Sequence, residues 1–227
     1  MSADFLLYTN KNTALLLSAD RTLWLPDHEI LVISDLHIGK AQHFRKHGIP
    51  LPLEAANKNF ELFKIAVLKR KPKKIIFLGD LFHSRLNSEW LQFVHVILAL
   101  REALDFDIVL TIGNHDILSP QDYQEISAHC VPFFEVGDLF FIHEPPDIVN
   151  ETDKLTICGH LHPGVTIKGK ARSKVKLPCF GLQNHCLIMP SFGNLTGSMN
   201  VNWPEDSRTW AIIGDSMIKE VGKESRH

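Results

Sequence analysis

Short apolar runs punctuated by turn residues set the rhythm of the first half of the chain: Ala14 to Leu17, Thr22 to Leu25, Ile30 to Ile33, Ile75 to Leu78 and Ile108 to Ile112. Runs of this length bounded by Ser-Ala-Asp-Arg, Pro-Asp-His or Gly have the pattern of buried β-strands. Between them Leu53, Phe60, Phe63 and Val67 recur near a helical period among Lys, Glu and Asn, which predicts a helix from Pro52 to Lys71 closed by Pro72. A second helix is predicted from Ser88 to Leu104, capped by Asn87 or Ser88, with Trp90, Val94, Ile97, Leu98 and Leu104 facing inward. Each helix falls between two apolar strands, the β-α-β rhythm of a sheet with helical cover. After Pro132 the pattern changes to short strands at Phe133 to Val136, Leu139 to Ile142, Leu155 to Cys158, Val165 to Ile167, Val175 to Phe180, Cys186 to Met189 and Thr209 to Ile213. Strands without long helices predict a second, mostly antiparallel sheet packed on the first. The expected fold is α/β (α+β), a two-sheet β-sandwich flanked by helices. One domain is expected over residues 1–227, with 221–227 as a frayed tail.

Composition changes this picture little. A net charge of −2 gives no global basic field, so attraction to nucleic acid would have to come from local patches. The four cysteines lack C-x-x-C spacing, and Cys158 reads as a small core residue at a strand end, which suits a reducing compartment. The N-terminus carries no signal-peptide pattern, and no apolar run approaches the ~20 residues needed to span a bilayer, so a cytoplasmic location is expected.

Five polar motifs recur in fixed order: Asp35-Leu36-His37, Gly79-Asp80, Gly113-Asn114-His115-Asp116, His143-Glu144 and Gly159-His160-Leu161-His162. Four directly follow apolar runs, so a sheet would gather them at one edge. Two close cations need a bridging carboxylate, several imidazoles and a neutral oxygen donor. Asp80 is the candidate bridge, and Gly79 leaves room for it. Asp35 and His37, two apart at a strand end, are expected to point the same way. Asn114 offers an amide oxygen, His143 and His160 complete a second site, and His162 returns to the first. His115 with Asp116 beside it suits proton delivery to a leaving oxygen. Each fragment alone is weak; all five in order, in strand contexts, are not a chance pattern. Such a dinuclear centre would supply a bridging hydroxide for in-line attack on phosphorus.

In this order the motifs resemble the calcineurin-like metallophosphoesterases. More narrowly, Gly79-Asp80-Leu81-Phe82-His83-Ser84, Leu177-Pro178-Cys179-Phe180 and Met189-Pro190-Ser191-Phe192-Gly193-Asn194-Leu195-Thr196-Gly197 are similar to the bacterial ligase-associated DNA damage response endonucleases. The resemblance implies a metallophosphoesterase-like fold in which Asp35, His37, Asp80 and His162 hold one metal and Asp80, Asn114, His143 and His160 the other. It implies that His115 is the catalytic acid or stabilises a phosphoryl oxygen, oriented by Asp116. The ligand types suit Mn, Fe or Zn, and the resemblance favours Mn. It also implies a DNA endonuclease in repair, functionally associated with an ATP-dependent DNA ligase, a helicase and an exonuclease-like protein.

Candidate substrate contacts are His83 and Arg85 just past Asp80, and Lys168, Lys170, Arg172, Lys174 and Lys176, which alternate without an intervening acid and would share one face of a hairpin. The same spacing also suits a Lys-protected edge strand. Lys40, His43, Arg45, Lys46 and His47 form a candidate substrate-facing loop. Phe133, Phe134, Phe140 and Phe141 are expected in the core. The motifs describe the phosphoryl centre and not the leaving group, so two alternatives stay open. One is a phosphatase or phosphodiesterase for a small nucleotide, lipid precursor or phosphoprotein, and the other a non-catalytic scaffold of the same fold.

Overall fold

In the computed structural model, which describes residues 4–46, 54–83, 86–146, 153–168, 174–193, 196–201 and 203–222, the first half of the chain forms a sheet in unbroken chain order. Its strands are β1 (Asp4–Tyr8), β2 (Ala14–Ser18), β3 (Leu23–Leu25), β4 (Ile30–Ile33), β5 (Lys74–Phe77), β6 (Asp107–Thr111) and β7 (Ala128–Val131). Neighbours from β1 to β4 are antiparallel, and those from β4 to β7 are parallel. Helices α1 (Lys40–Lys46) and α2 (Glu54–Arg70) join β4 to β5, α3 (Ser88–Arg101) joins β5 to β6, and α4 (Pro120–Gln124) precedes β7.

Successive right-handed crossovers in one direction put their helices on the same face of a sheet. Accordingly Phe60, Phe63 and Val67 of α2 and Trp90, Phe93, Ile97 and Leu100 of α3 share a core with Leu31, Ile33, Ile75, Phe77, Ile108 and Leu110. The alternate strand residues Ile30, Val32, Ile76, Leu78 and Val109 enter a second core with Leu139, Phe141, Ile157, Phe180, Leu187 and Trp210 of the other sheet. Cover on both faces explains why these strands read as unbroken apolar runs.

The second sheet contains β8 (Phe133–Val136), β9 (Leu139–Ile142), β10 (Leu155–Cys158), β11 (Pro163–Lys168), β12 (Lys174–Gln183), β13 (Cys186–Ile188), β14 (Met199–Asn200), β15 (Arg208–Ile213) and β16 (Met217–Glu220). The predicted antiparallel pairing holds for β8–β9, β11–β12, β12–β13, β12–β15 and β15–β16. The pairs β9–β10, β10–β13 and β11–β14 are parallel. The parallel runs matter most, because they point the carboxyl ends of β9 and β10 in a common direction.

Several expectations are corrected. Of the expected α3 face Trp90 and Ile97 are buried and Val94 and Leu104 pack against the core, but Leu98 is 49% exposed, and Phe93, Val96 and Leu100 complete the buried face. Residues 40–46 form a helix instead of a loop, and Arg45 in it pairs with Glu89 at 3.2 Å. Phe141 is fully buried, but Phe133 is half exposed and stacks on Phe140 on the outer face of β8 and β9. Strands β1, β7, β14 and β16 were not anticipated; β7, Ala-His-Cys-Val, carries no apolar run because it closes the sheet at its edge.

The α3 face gives a direct check by urea denaturation. Phe93→Ala is expected to cost about 3–5 kcal/mol, and Leu98→Ala under about 1 kcal/mol, since its side chain faces solvent.

Candidate metal centre

Strands β4, β5 and β6 of the first sheet and β9 and β10 of the second end at one edge, and the five motifs occupy the loops that follow. Backbone bonds stitch these loops together: His37 N–H to Asp80 O at 2.9 Å, Gly159 N–H to His143 O at 2.9 Å and Phe192 N–H to Ser34 O at 2.8 Å. The two-residue spacing does not act as extended strand. Asp35, His37, Asp80, His160 and His162 all have positive φ, between 45° and 65°, so the chain turns sharply at each of them. Non-glycine residues held there cost about 1 kcal/mol or more each and gather at functional sites.

Asp35, Asp80, His37 and His143 are almost fully buried. Asp80 lies between two imidazoles, with Oδ2 3.6 Å from His37 Nε2 and Oδ1 3.5 Å from His143 Nε2. Asp35 Oδ1 is 3.1 Å from His162 Nε2. Two overlapping groups of potential ligand atoms result, Asp35–His37–His162 and Asp35–Asp80–His143. His160 approaches through Nδ1, 3.2 Å from His143 Nε2, and its backbone N–H donates to Asp35 Oδ2 at 3.0 Å. His143 Nδ1 lies 2.8 Å from Leu78 O, so it carries the proton and leaves an Nε2 lone pair facing inward. Burial, with Lys40 and neighbouring histidines adding to it, drives the His37 pKa from 6.5 down to about 2, so this ring too is a neutral donor.

Asp35 Oδ1, His37 Nε2 and His162 Nε2 are buried yet have no hydrogen-bond partner. Buried polar atoms are ordinarily satisfied, and a carboxylate oxygen and two imidazole nitrogens that converge without a hydrogen-bond partner fit a divalent cation. Carboxylate and imidazole are the right donors for such an ion. Asn114 and His115 are exposed on the next loop. That loop is close, since a Cβ on Gly113 would lie 2.4 Å from Asp80 Oδ1, and one on Gly79 would lie 2.3 Å from His143 Nδ1. Only glycine allows these approaches.

Asp116 is placed differently from expectation. Its carboxylate accepts from the backbone N–H groups of Gly113, Asp80, Leu81 and Phe82 at 2.8 to 3.3 Å and from Tyr123 Oη at 3.0 Å. None of these five donors is the His115 ring. Burial raises the Asp116 pKa, while the bonds from Gly113, Phe82 and Tyr123 oppose that rise. The His115 ring instead sits 4.3 Å from the ring of His83, whose Nδ1 is 3.2 Å from His37 Nδ1.

Three supporting residues escaped the sequence reading. Glu89 accepts from Gly39 N–H at 2.8 Å and Gln42 N–H at 2.9 Å, holding the turn after His37. Ser191 Oγ donates to Asp35 O at 3.0 Å. Tyr123 braces Asp116. Glu89 had no signal beyond a helix's first turn, whereas Ser191 lay in the Met189-to-Gly197 motif.

Of the substrate candidates, His83 is half-buried among these rings. Arg85, Lys170 and Arg172 lie outside the described residues. Lys168 and Lys174 are directly opposed in the β11–β12 hairpin, which leaves the centre immediately after His162. Lys174 and Lys176 are exposed.

The family model described as calcineurin-like phosphoesterase matches residues 28–173. The chain belongs to the calcineurin-like phosphoesterases. As a member it is a hydrolase of phosphoester bonds in a family that uses divalent metals. Its fold is shared with the crystal structure of Pseudomonas putida nuclease MPE, with a TM-score of 0.75 and 22% identity, covering 92% of this chain and 97% of that one. A more distant likeness is to Yfce, a phosphoesterase from E. coli, with a TM-score of 0.45 and 15% identity over 85% of this chain and 98% of that one. No curated protein matches the sequence. No helix among the described residues is long and apolar enough to cross a membrane.

Two measurements test this arrangement. Asp116→Asn is expected to lower stability by about 2–4 kcal/mol, because an amide cannot accept all the loop N–H bonds; a residue serving only to orient His115 would leave the melting temperature unchanged. In metal-free protein, unfolded His37 binds a proton below pH 6.5 that the folded form refuses, so stability falls as pH drops through that range toward about 2. In His37→Gln the plot of unfolding free energy against pH is expected to flatten there by up to about 1.4 kcal/mol per unit.

Proposed function

We propose that this calcineurin-like phosphoesterase is a DNA endonuclease acting in repair, with two divalent metals, manganese first among them, held by Asp35, His37, Asp80, Asn114, His143, His160 and His162. The observation that carries the phosphoesterase chemistry is the buried set of unpartnered Asp35, His37 and His162 atoms beside Asp80 and His143. Metals bound there supply an activated water and neutralise charge on the phosphoryl oxygens. The remaining work falls to the chain. His83 buttresses the His37 ring from its outer edge, and His115, exposed beside His83, holds the proton for the departing oxygen.

DNA as substrate is supported by the lysine-bearing hairpin that leaves the centre after His162, with Lys168 opposite Lys174. The name of the Pseudomonas putida neighbour, a nuclease, agrees with this reading. A cytoplasmic location and a single domain over 1–227 belong to the same proposal, with association with an ATP-dependent ligase, a helicase and an exonuclease-like protein.

The deciding experiment is manganese-dependent cleavage of single-stranded DNA, duplex DNA and small phosphomonoesters. Turnover confined to the monoesters would replace the nuclease with a small-molecule phosphatase. Asp80→Asn is expected to lose both bound metal and turnover on every substrate; retained metal and rate would remove Asp80 from the centre. His115→Ala is expected to slow DNA cleavage by about 10²–10³-fold, but cleavage of an activated nitrophenyl diester far less, since that leaving group needs no proton. Equal losses would take the acid role away from His115.

A further inference from the structure

Next to the ligand cluster, and sharing His162 with it, lies a cavity of about 70 Å³ whose polar lining is Arg21, His162, Ser191, Thr196 and Ser198. Arg21 stands in the turn between β2 and β3 with φ of 65°, a left-handed conformation that an arginine adopts only when the surrounding bonds hold it. Its N–H donates to Ser18 O at 3.0 Å, and Nη1 reaches Ser191 O at 3.4 Å. Among the described residues no carboxylate lies within ion-pair distance of the guanidinium. Burial lowers the Arg21 pKa from its ordinary value, and Asp215 offsets this only in part. A partly buried guanidinium with no carboxylate at ion-pair distance keeps charge to be met, and an anion in the cavity would meet it.

Three further observations give that anion a direction. The wall between cavity and centre is shared, because Ser191 accepts from Arg21 through its carbonyl and donates through Oγ to Asp35 O. Thr196, 8% exposed, carries a buried hydroxyl with no hydrogen-bond partner. Next to the lining residue Pro163, a Cβ on Gly164 would lie 2.9 Å from Ser198 Oγ and 3.1 Å from Lys176 Cε, so the Lys176 side chain comes close to the same backbone as Ser198 of the cavity. The volume is that of roughly two waters, which suits one tetrahedral oxyanion and is too small for a sugar or base.

We infer that this cavity is a phosphate subsite, in which Arg21 receives the phosphodiester next to the scissile one, making the substrate a polynucleotide strand instead of an isolated phosphoester. The inference rests on the nuclease reading and deepens it. Beyond Arg21 the strand would pass Lys176 and run along the β11–β12 hairpin. The chemistry stays at the centre, and Arg21 supplies register and affinity.

The test compares manganese-loaded wild type, Arg21→Gln and Arg21→Lys on a single-stranded oligonucleotide and on bis-nitrophenyl phosphate, which has no neighbouring phosphate. In Arg21→Gln the ratio of kcat/KM for DNA to that for the small diester is expected to fall about tenfold, the loss lying in KM, with partial rescue in Arg21→Lys. Anisotropy of a labelled oligonucleotide against salt is expected to give a slope shallower by about 0.7, one phosphate contact fewer. Should Arg21→Gln fold poorly, Thr196→Val serves instead, with the same direction of effect and no loss in melting temperature. Equal losses on both substrates, or an unchanged ratio and salt slope while wild type still cuts DNA, would overturn the subsite and leave the nuclease standing. A wild type that cleaves the small diester but neither binds nor cuts the oligonucleotide would bring down the nuclease reading and the subsite with it.

Discussion

Two carboxylates, Asp35 and Asp80, are buried almost completely within reach of three imidazoles, and nearly every local feature of this edge of the molecule follows from keeping them there. Burying an anion is among the costliest things a fold can do unless it is bonded and compensated. Here compensation is partial. Ser34 Oγ and the N–H of His160 serve Asp35 Oδ2, and the N–H of His115 serves Asp80 Oδ1 at 2.8 Å, while Asp35 Oδ1 is left without a hydrogen bond. Five residues of the cluster also sit in left-handed backbone. At about 1 kcal/mol or more each, that strain rivals the lower end of a domain's net stability, about 5 kcal/mol. The centre is therefore a place where the fold spends stability, and a bound cation would return part of it by linkage.

The remainder of the structure supplies what this edge lacks. Two apolar cores lie on either side of the first sheet, so its parallel strands are fixed from both faces and their ends cannot drift. The loops are then clamped to one another by buried acceptors. Asp116 ties the Asp80 loop to its own, Glu89 holds the turn after His37 from the start of α3, and Ser191 fastens the second sheet to the carbonyl of Asp35. These three residues sit behind the donor atoms and set their positions.

How far the sequence disclosed this depends on the range of each interaction. Strands β4, β5 and β6, covered on both faces, announce themselves as apolar runs, and β9 and β10 as short apolar stretches, so the loops bearing Asp35, Asp80, Asn114, His143 and His160 are readable with them. Edge strands such as β7 carry no such signature. The outward turn of Leu98 in α3 carries no sequence signal, because Leu98 is as apolar as Phe93 and Ile97 and only tertiary packing separates them. The reasoning for Asp35 and His37 was wrong in its physics, since alternation presumes extended backbone and both residues turn left-handed. Arg21 was unreadable because the wall it lines is built from residues some 170 positions away, as its bond to Ser191 O shows.

The centre and its surroundings thus answer different questions. Ligands at strand ends are held by the sheets, and the phosphoryl group they would bind is common to all phosphoesters, so nothing in them selects a leaving group. Selection has to come from groups that touch the rest of the substrate, and the ones we propose lie on the hairpins flanking His162: the β2–β3 turn with Arg21 on one side and the β11–β12 arm with Lys174 and Lys176 on the other. Both hairpins belong to antiparallel parts of the sheets, where turns and arms can change in length and charge without moving the parallel strands that position Asp35, Asp80, His143 and His160. That separation lets substrate range vary over a fixed chemistry. It also explains why an arginine is held in a strained turn: at that point the chain can place a cation beside His162 without adding a charge to the metal cluster itself.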